Sequence, residues 1–117
     1  MISTIDIDAR KLKIDSIFNN TPNLFIKNKS KGMDGAYLVI FTDVDYPWYT
    51  VIKSSKCTTH QGLHSMPTVT MRVNSTDFID IVYGKLNETL ALMTGRVKLE
   101  GDLIRAVKYS SLFEKFE

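Results

Sequence analysis

The chain has 117 residues, of which 44% are hydrophobic and 24% are charged, and this composition predicts one ordinary globular domain over residues 1–117. Fifteen Lys and Arg against thirteen Asp and Glu leave a net charge of +2, so we expect no nucleic-acid partner. The single cysteine, Cys57, cannot form an internal disulfide, and a cytoplasmic location is therefore expected.

The N-terminal segment predicts one helix. Asp8 can cap it, and apolar residues at near-helical spacing continue it to about Asn19. Pro22 is expected to end the helix, because proline lacks an N–H group and disfavours the helical conformation in the residue before it.

The next segments have the pattern of strands. "YLVIFTDV", from Tyr37, is apolar at both alternating sets of positions, which predicts a strand covered on both faces. "WYTVIK" returns after a turn at Pro47, and the more polar "KCTTHQG" is expected at an edge. "TVTMRV" alternates, with Val69, Met71 and Val73 predicted inward and Thr68, Thr70 and Arg72 outward. Four strands joined by short turns predict an antiparallel meander.

The period then changes to that of helices. Asn74 or Ser75 can cap a helix that has Asp77 in its first turn, where the helix dipole favours a carboxylate, and Gly84 ends it. A second helix is expected to start at Asn87-Glu88. The pattern predicts an α/β domain with the sheet first and most helices last.

The stretch "LALMTGRVKLEGD" contains a helix, a turn and a strand. Gly95 ends the helix, and Val97 and Leu99 alternate with polar residues as in a half-buried strand. Asp102 then caps a final amphipathic helix that is predicted to run to about Phe116.

Residues that could carry catalysis are few. Cys57, His60 and His64 have a spacing that suggests a metal site, but Cys57 and His60 are expected on opposite faces of a strand, and three such residues make a weak zinc signal. Asp43 and Asp45 fit a turn before Pro47 better than an acid–base pair. We therefore expect no catalytic residue, no metal and no cofactor.

Apolar residues are abundant in the last forty positions. They could simply fill a core, or they could surround a space that holds an apolar ligand. Helical periodicity does not distinguish a filled core from a core with a cavity.

The C-terminal half, from about Pro67 to Phe116, resembles the sterol carrier protein 2 family. The resemblance lies in Gly84-Lys85-Leu86, in the short apolar helix from Leu90 to Met93, and in the run "GRVKLEGD" from Gly95 to Asp102 before a closing helix. "TVTMRVNSTDF" is similar to the strand and capped helix that precede these motifs in the family. The N-terminal half matches more loosely, with a tryptophan on its second strand.

The resemblance implies an α+β domain with a five-stranded, mostly antiparallel sheet covered by helices, and an apolar tunnel between the sheet and the C-terminal helices. It implies non-enzymatic lipid binding or transfer, with a fatty acid, fatty acyl-CoA or sterol as the ligand. A transient contact with an anionic membrane surface and either a monomer or a homodimer fit this function. The closing helix is the candidate lid.

The ligand-binding positions that the resemblance implies are apolar and come from one strand of the meander and from all the later elements. They are Met71, Phe78, Val82, Leu86, Leu90, Met93, Leu99, Leu103, Val107, Leu112, Phe113 and Phe116.

An alternative is an interaction or dimerisation module of the same fold. Its core would be filled, and it would act together with an enzyme. A cavity between the Val97/Leu99 strand and the closing helix would discriminate between the two functions.

Overall fold

The computed structural model describes residues 4–117, so the first three residues of the predicted domain lie outside the described part. The helices and strands, labelled in chain order, are α1 (Thr4–Leu24), β1 (Gly35–Phe41), β2 (Trp48–Lys53), β3 (Lys56–Gln61), β4 (Val69–Val73), α2 (Ser75–Val82), α3 (Glu88–Met93), β5 (Lys98–Gly101) and α4 (Leu103–Lys108). Short 3-10 turns follow α1 and α4, at Lys27–Lys29 and Tyr109–Leu112.

The first helix is longer than the sequence predicts. It already includes Thr4, and it continues through Pro22 to Leu24, so the prediction that Pro22 ends it was wrong. Pro22 cannot donate to the carbonyl of Phe18, but the Thr59 hydroxyl donates to that oxygen at 2.7 Å. The missing helical hydrogen bond is thus replaced by one from β3, and the last turn persists.

No helix within residues 4–117 is long and apolar enough to cross a bilayer.

The five strands form one mixed sheet in the order β3-β2-β1-β4-β5. Three pairings are antiparallel, but β1 and β4 are parallel, with Tyr37 opposite Val69 and Phe41 opposite Val73. The predicted meander was therefore wrong at its fourth strand. Because β1 is apolar on both faces, it takes a central position in the sheet. After β3, residues 62–68 cross the sheet to the edge of β1 that β2 does not occupy, and β4 pairs there. The predicted edge position of β3 is confirmed.

Thr68, at the end of this crossing, joins the two halves of the sheet. Its N–H donates to the carbonyl of Ala36 at 2.8 Å, and its own carbonyl accepts from the N–H of Asp102 at 2.9 Å. Gly101 lies directly against it with φ +98°, and a Cβ there would be 2.3 Å from the Thr68 carbonyl oxygen. Gly101 is therefore required both by its backbone conformation and by close contact.

One face of the sheet, here called the inner face, carries both hydrophobic clusters. Val39, Phe41 and Trp48 pack with α1 and α2 in the first cluster. Tyr37 and Ile52 pack with the segment after β5 in the second. The inward prediction for Val69, Met71 and Val73 is confirmed, since all three belong to or pack against these clusters. Thr70 lies on the outer face as predicted but is 7% exposed, so it does not face solvent.

The predicted cap of the first helix was wrong, because Asp8 lies inside α1, which already includes Thr4. The predicted caps of the later helices are confirmed. The side chains of Asn74, Asn87 and Asp102 each accept a hydrogen bond from the backbone N–H three residues later. Gly95 has φ +79° where α3 ends.

The predicted closing helix to Phe116 was wrong in length. α4 ends at Lys108, the 3-10 turn follows, and Phe113 then forms a β-bridge with Phe25. The Ser111 hydroxyl donates to the carbonyl of Lys108 at 2.6 Å, at the point where the α-helix ends. The segment Tyr109–Phe116, here called the C-terminal segment, therefore folds back across the inner face instead of continuing outward.

Candidate functional site

A cavity of about 240 Å³ lies between the inner face of the sheet, helices α1 and α2, and the C-terminal segment. Its lining is mostly apolar and aromatic. The lining residues are Ile17, Phe18, Thr21, Tyr37, Leu38, Val39, Val69, Met71, Phe78, Ile81, Val82, Glu88, Leu99, Ala106, Tyr109, Ser110, Phe113, Glu114, Lys115 and Phe116.

Residues from distant parts of the sequence meet at this cavity. Of the predicted ligand-binding residues, the ones that line it are Met71, Phe78, Val82, Leu99, Phe113 and Phe116. Met71 and Leu99 face each other across β4 and β5, while Phe78 and Val82 lie one helical turn apart on α2.

Other predicted residues lie elsewhere. Leu86 packs against the first hydrophobic cluster, and Leu112 is 1% exposed within the second, but neither lines the cavity. The remaining ones are exposed, at 53% for Leu90, 79% for Met93, 55% for Leu103 and 68% for Val107.

These four residues are exposed because they lie on the two shortest helices, which bury their alanines instead. α3 and α4 have six residues each, and the side chains that they bury are Ala91 and Ala106. Larger apolar side chains face outward on both helices. A six-residue helix that is apolar on more than one side has no single stripe, so its periodicity does not indicate which side is buried.

The N-terminal half supplies lining residues that the sequence did not single out. Ile17, Phe18 and Thr21 of α1 form one wall, and Tyr37 and Val39 of β1 lie in the floor. The adjacent pair Ile17-Phe18 was visible as part of a helical stripe, but nothing local indicated that this stripe meets the C-terminal segment.

Three hydroxyl groups in the lining already donate to protein acceptors. Thr21 donates to the carbonyl of Ile17 at 2.8 Å, Tyr37 to that of Met33 at 2.6 Å, and Tyr109 to the Thr50 hydroxyl at 2.9 Å. Burial raises the pKa of Tyr37 to about 12, and it also raises the pKa of Tyr109. Both phenols therefore stay neutral at physiological pH.

The charged side chains in the lining are Glu88, Glu114 and Lys115. Glu88, the first residue of α3, is half-buried, whereas Glu114 and Lys115 are exposed. Burial raises the pKa of the Glu88 carboxyl, and a hydrogen bond with Ser110 partly opposes this shift. One end of the cavity therefore combines apolar walls with ionisable groups.

The cysteine and histidines are arranged away from this cavity. Cys57 pairs with Ile52 of the inner face, whereas the His60 ring stacks on Tyr49 with centroids 5.0 Å apart, so Cys57 and His60 lie on opposite faces as predicted. Burial raises the pKa of the Cys57 thiol to about 11, which keeps it protonated. Among residues 4–117, no three His, Cys, Asp or Glu side chains are grouped as a metal site would need.

Asp43 forms hydrogen bonds and an ion pair that hold elements of the fold together. It accepts hydrogen bonds from the backbone N–H and the hydroxyl of Ser75, at 2.9 and 2.8 Å, and pairs with Arg10 at 3.0 Å. It thereby joins the end of β1 to α1 and to the start of α2.

Comparison with known proteins gives the context of this site. The SCP-2 sterol transfer family matches residues 18–114. The Xenopus laevis protein named hydroxysteroid dehydrogenase-like protein 2 is 31% identical over 84 residues, which are 70% of this chain and 20% of that protein. The chain therefore spans about a fifth of the length of this relative.

Solved structures share the fold. A double mutant of the sec-alkyl sulfatase PisA1, an enzyme from Pseudomonas sp., superposes with a TM-score of 0.81 at 23% identity, over 92% of this chain and 17% of the sulfatase. The palmitated SCP2L2 protein of Aedes aegypti superposes with a TM-score of 0.60 at 20% identity, over 90% and 95% of the two chains.

Proposed function

Because the chain belongs to the SCP-2 sterol transfer family, we propose that it binds one lipid molecule non-covalently in the cavity and carries it through water. The observation that carries this proposal is the apolar cavity of about 240 Å³ on the inner face of the sheet. Aromatic and aliphatic side chains from α1, α2, the sheet and the C-terminal segment surround it. Such a space suits a ligand without specific polar anchors over most of its length.

The ligand in this proposal is a fatty acid, a fatty acyl-CoA or a sterol-like lipid. One structural neighbour is described as palmitated, which is consistent with an acyl chain. Each methylene group removed from water contributes about 0.8 kcal/mol, so a long acyl chain offers on the order of 10 kcal/mol before costs. Ordering of the acyl chain and of the lining side chains costs free energy that offsets a large share of this gain. Micromolar binding is therefore the expected result.

A non-enzymatic role is part of the proposal. The cysteine thiol is protonated and lies outside the lining, as do both histidines. The hydroxysteroid dehydrogenase-like relative and the sulfatase are longer proteins, and a lipid carrier that is attached to an enzyme is compatible with this role. The cavity favours carriage over the alternative of a module with a filled core.

We propose further that α4 contacts an anionic membrane during loading. It exposes Ile104 at 71% and Val107 at 68%, and Lys108 follows at its end. Apolar side chains next to a cation fit the interface of an anionic bilayer. Ala106 of the same helix lines the cavity, so this surface lies beside the proposed binding site.

The experiment combines native mass spectrometry of the purified protein with titration of Nile red, an uncharged fluorescent lipid probe. Val82→Phe adds volume to the cavity lining, and Val107→Phe makes the same change on an exposed position. We expect Val82→Phe to weaken Nile red binding by about tenfold. The Val107→Phe variant should bind as the wild type does. Absence of both co-purified lipid and saturable Nile red binding by the wild type would contradict the proposal.

A further inference from the structure

The charged groups that the head of a bound lipid would meet lie on two elements of the cavity lining. The hydroxyls of Thr21, Tyr37 and Tyr109 already donate to protein acceptors, so they offer a lipid head only uncharged acceptor oxygens. The other polar lining groups are Glu88 of α3 and the residues Ser110, Glu114 and Lys115 of the C-terminal segment. The charged partners for the polar head of a lipid are therefore on α3 and the C-terminal segment, and none is on the sheet.

Glu88 differs from the other charged groups of the lining by its burial. Its side chain is half-buried, whereas those of Glu114 and Lys115 are exposed to water, which screens their charges. The Asn87 side chain caps the same helix at the preceding residue, so the backbone that carries Glu88 is held in place. The Glu88 carboxylate is therefore the charged group that interacts most strongly with a ligand in the cavity.

The carboxylate retains capacity to accept hydrogen bonds. Hydrogen bonding by Ser110 partly lowers the pKa of the Glu88 carboxyl, and a carboxylate has about four lone-pair directions. A hydroxyl group on a lipid can donate to one that is left. A lipid carboxylate has no proton to donate at neutral pH and would repel Glu88. The lining contains two carboxylates, Glu88 and Glu114, against one ammonium group, Lys115, so it carries a net negative charge.

We propose that Glu88 makes the cavity select lipids with an uncharged hydroxyl head over lipids with a carboxylate head. This inference rests on the proposed function and narrows its ligand class to long-chain alcohols and sterol-like alcohols. Glu88 is then a specificity-determining residue, whose effect is on the choice of ligand and not on the formation of the apolar cavity.

The test is displacement of Nile red at neutral pH by two competitors of equal chain length, dodecanol and dodecanoate. In the wild type, dodecanol should displace the probe at about a tenfold lower concentration than dodecanoate. In Glu88→Gln this ratio should fall by about fivefold, chiefly because dodecanoate binds more tightly once the repulsion is removed. Glu100→Gln removes the same charge from the outer face of the sheet, and its ratio should equal that of the wild type.

A charge reversal gives a further readout. Glu88→Lys should shift the preference toward dodecanoate, whereas a variant that merely damaged the cavity would bind both competitors more weakly. Equal displacement by both competitors in the wild type, or an unchanged ratio in Glu88→Gln and Glu88→Lys, would overturn the inference. Failure of Nile red to bind the wild type would instead overturn the proposed function.

Discussion

The Thr59 hydroxyl donates a hydrogen bond of 2.7 Å to the carbonyl oxygen of Phe18, the oxygen that Pro22 cannot reach with a backbone N–H. A residue of the edge strand thus completes the last turns of a helix about forty positions earlier in the chain. Phe18 and Thr21 of these turns line the cavity, so this bond also holds one of its walls.

The first prediction concerns this bond. We expect Thr59→Val to lower the free energy of unfolding by about 1–2 kcal/mol, because the Phe18 carbonyl loses its donor in a partly buried place. Thr58→Val is the control, since it removes a hydroxyl from the exposed side of the same strand, where the hydrogen bond of 2.9 Å with His60 Nε2 is open to water. Urea unfolding followed by circular dichroism measures both.

A double mutant sharpens this result. Pro22→Ala restores an N–H group that can donate to the Phe18 carbonyl. The loss caused by Thr59→Val should then be smaller in the Pro22→Ala background, and equal losses in both backgrounds would show that the hydroxyl acts in another way.

The second prediction concerns Gly101. Gly101→Ala places a Cβ within 2.3 Å of the Thr68 carbonyl oxygen at φ +98°, whereas a Cβ at Gly84, with φ +76°, meets no atom within 4 Å. We expect Gly84→Ala to cost about 1 kcal/mol from backbone strain alone. Gly101→Ala should cost at least about 2 kcal/mol more, because β4 and β5 must separate or shift. Thermal unfolding measures both variants. Equal losses of stability in Gly84→Ala and Gly101→Ala would show that the contact with Thr68 relaxes without cost.

The third prediction concerns the dependence of stability on pH. Because burial raises the pKa of Glu88 above its ordinary value of 4.5, the folded state keeps this proton at pH values where the unfolded chain has released it. The stabilising contribution of protonated Glu88 is complete below the unfolded-state pKa and is lost as the pH rises through the folded-state pKa. Glu88→Gln should therefore be more stable than the wild type at neutral pH, with an advantage that shrinks on acidification.

Melting temperatures over a pH series measure this difference. Glu100→Gln controls for the loss of one negative charge. The difference in melting temperature between Glu100→Gln and the wild type should not shrink on acidification. A constant difference between Glu88→Gln and the wild type at all pH values would contradict the prediction.

The fourth prediction concerns the membrane contact of α4. Ile104 is 71% exposed, so Ile104→Glu should change stability by less than about 0.5 kcal/mol and leave Nile red binding intact. Transfer of a fluorescent lipid to anionic vesicles should slow by about tenfold, because a carboxylate replaces an apolar contact and repels anionic lipids. Leu63→Glu, at a position that is 69% exposed on the crossing loop, is the matched control. Equal slowing by both variants would mean that α4 is not the contact surface.

Features that depend on near neighbours in the chain were predictable. The caps at Asn74, Asn87 and Asp102 each use a backbone N–H three residues later. The central strand was recognisable because both of its alternating sets are apolar. The resemblance to the sterol carrier protein 2 family is confirmed, since the family matches residues 18–114.

Features that depend on distant contacts were not predictable. Thr59 allows α1 to pass Pro22, and the crossing to Thr68 places β4 parallel to β1. The bridge between Phe113 and Phe25 turns the C-terminal segment back across the sheet. Each depends on a partner more than thirty positions away, for which the local pattern has no signal.

The sequence by itself determined the family, the identity of the strands and the turns between the helices, because propensity, capping and hydrophobic period act over a few residues. Only the tertiary structure decided which apolar residues surround the cavity. Ala91 and Ala106 face inward while Leu90 and Val107 face solvent, although all four fit the same apolar pattern. The choice follows from packing, since the two short helices lie close to the core through their smallest side chains, and most of the large side chains that line the cavity come from α1, α2, the sheet and the C-terminal segment.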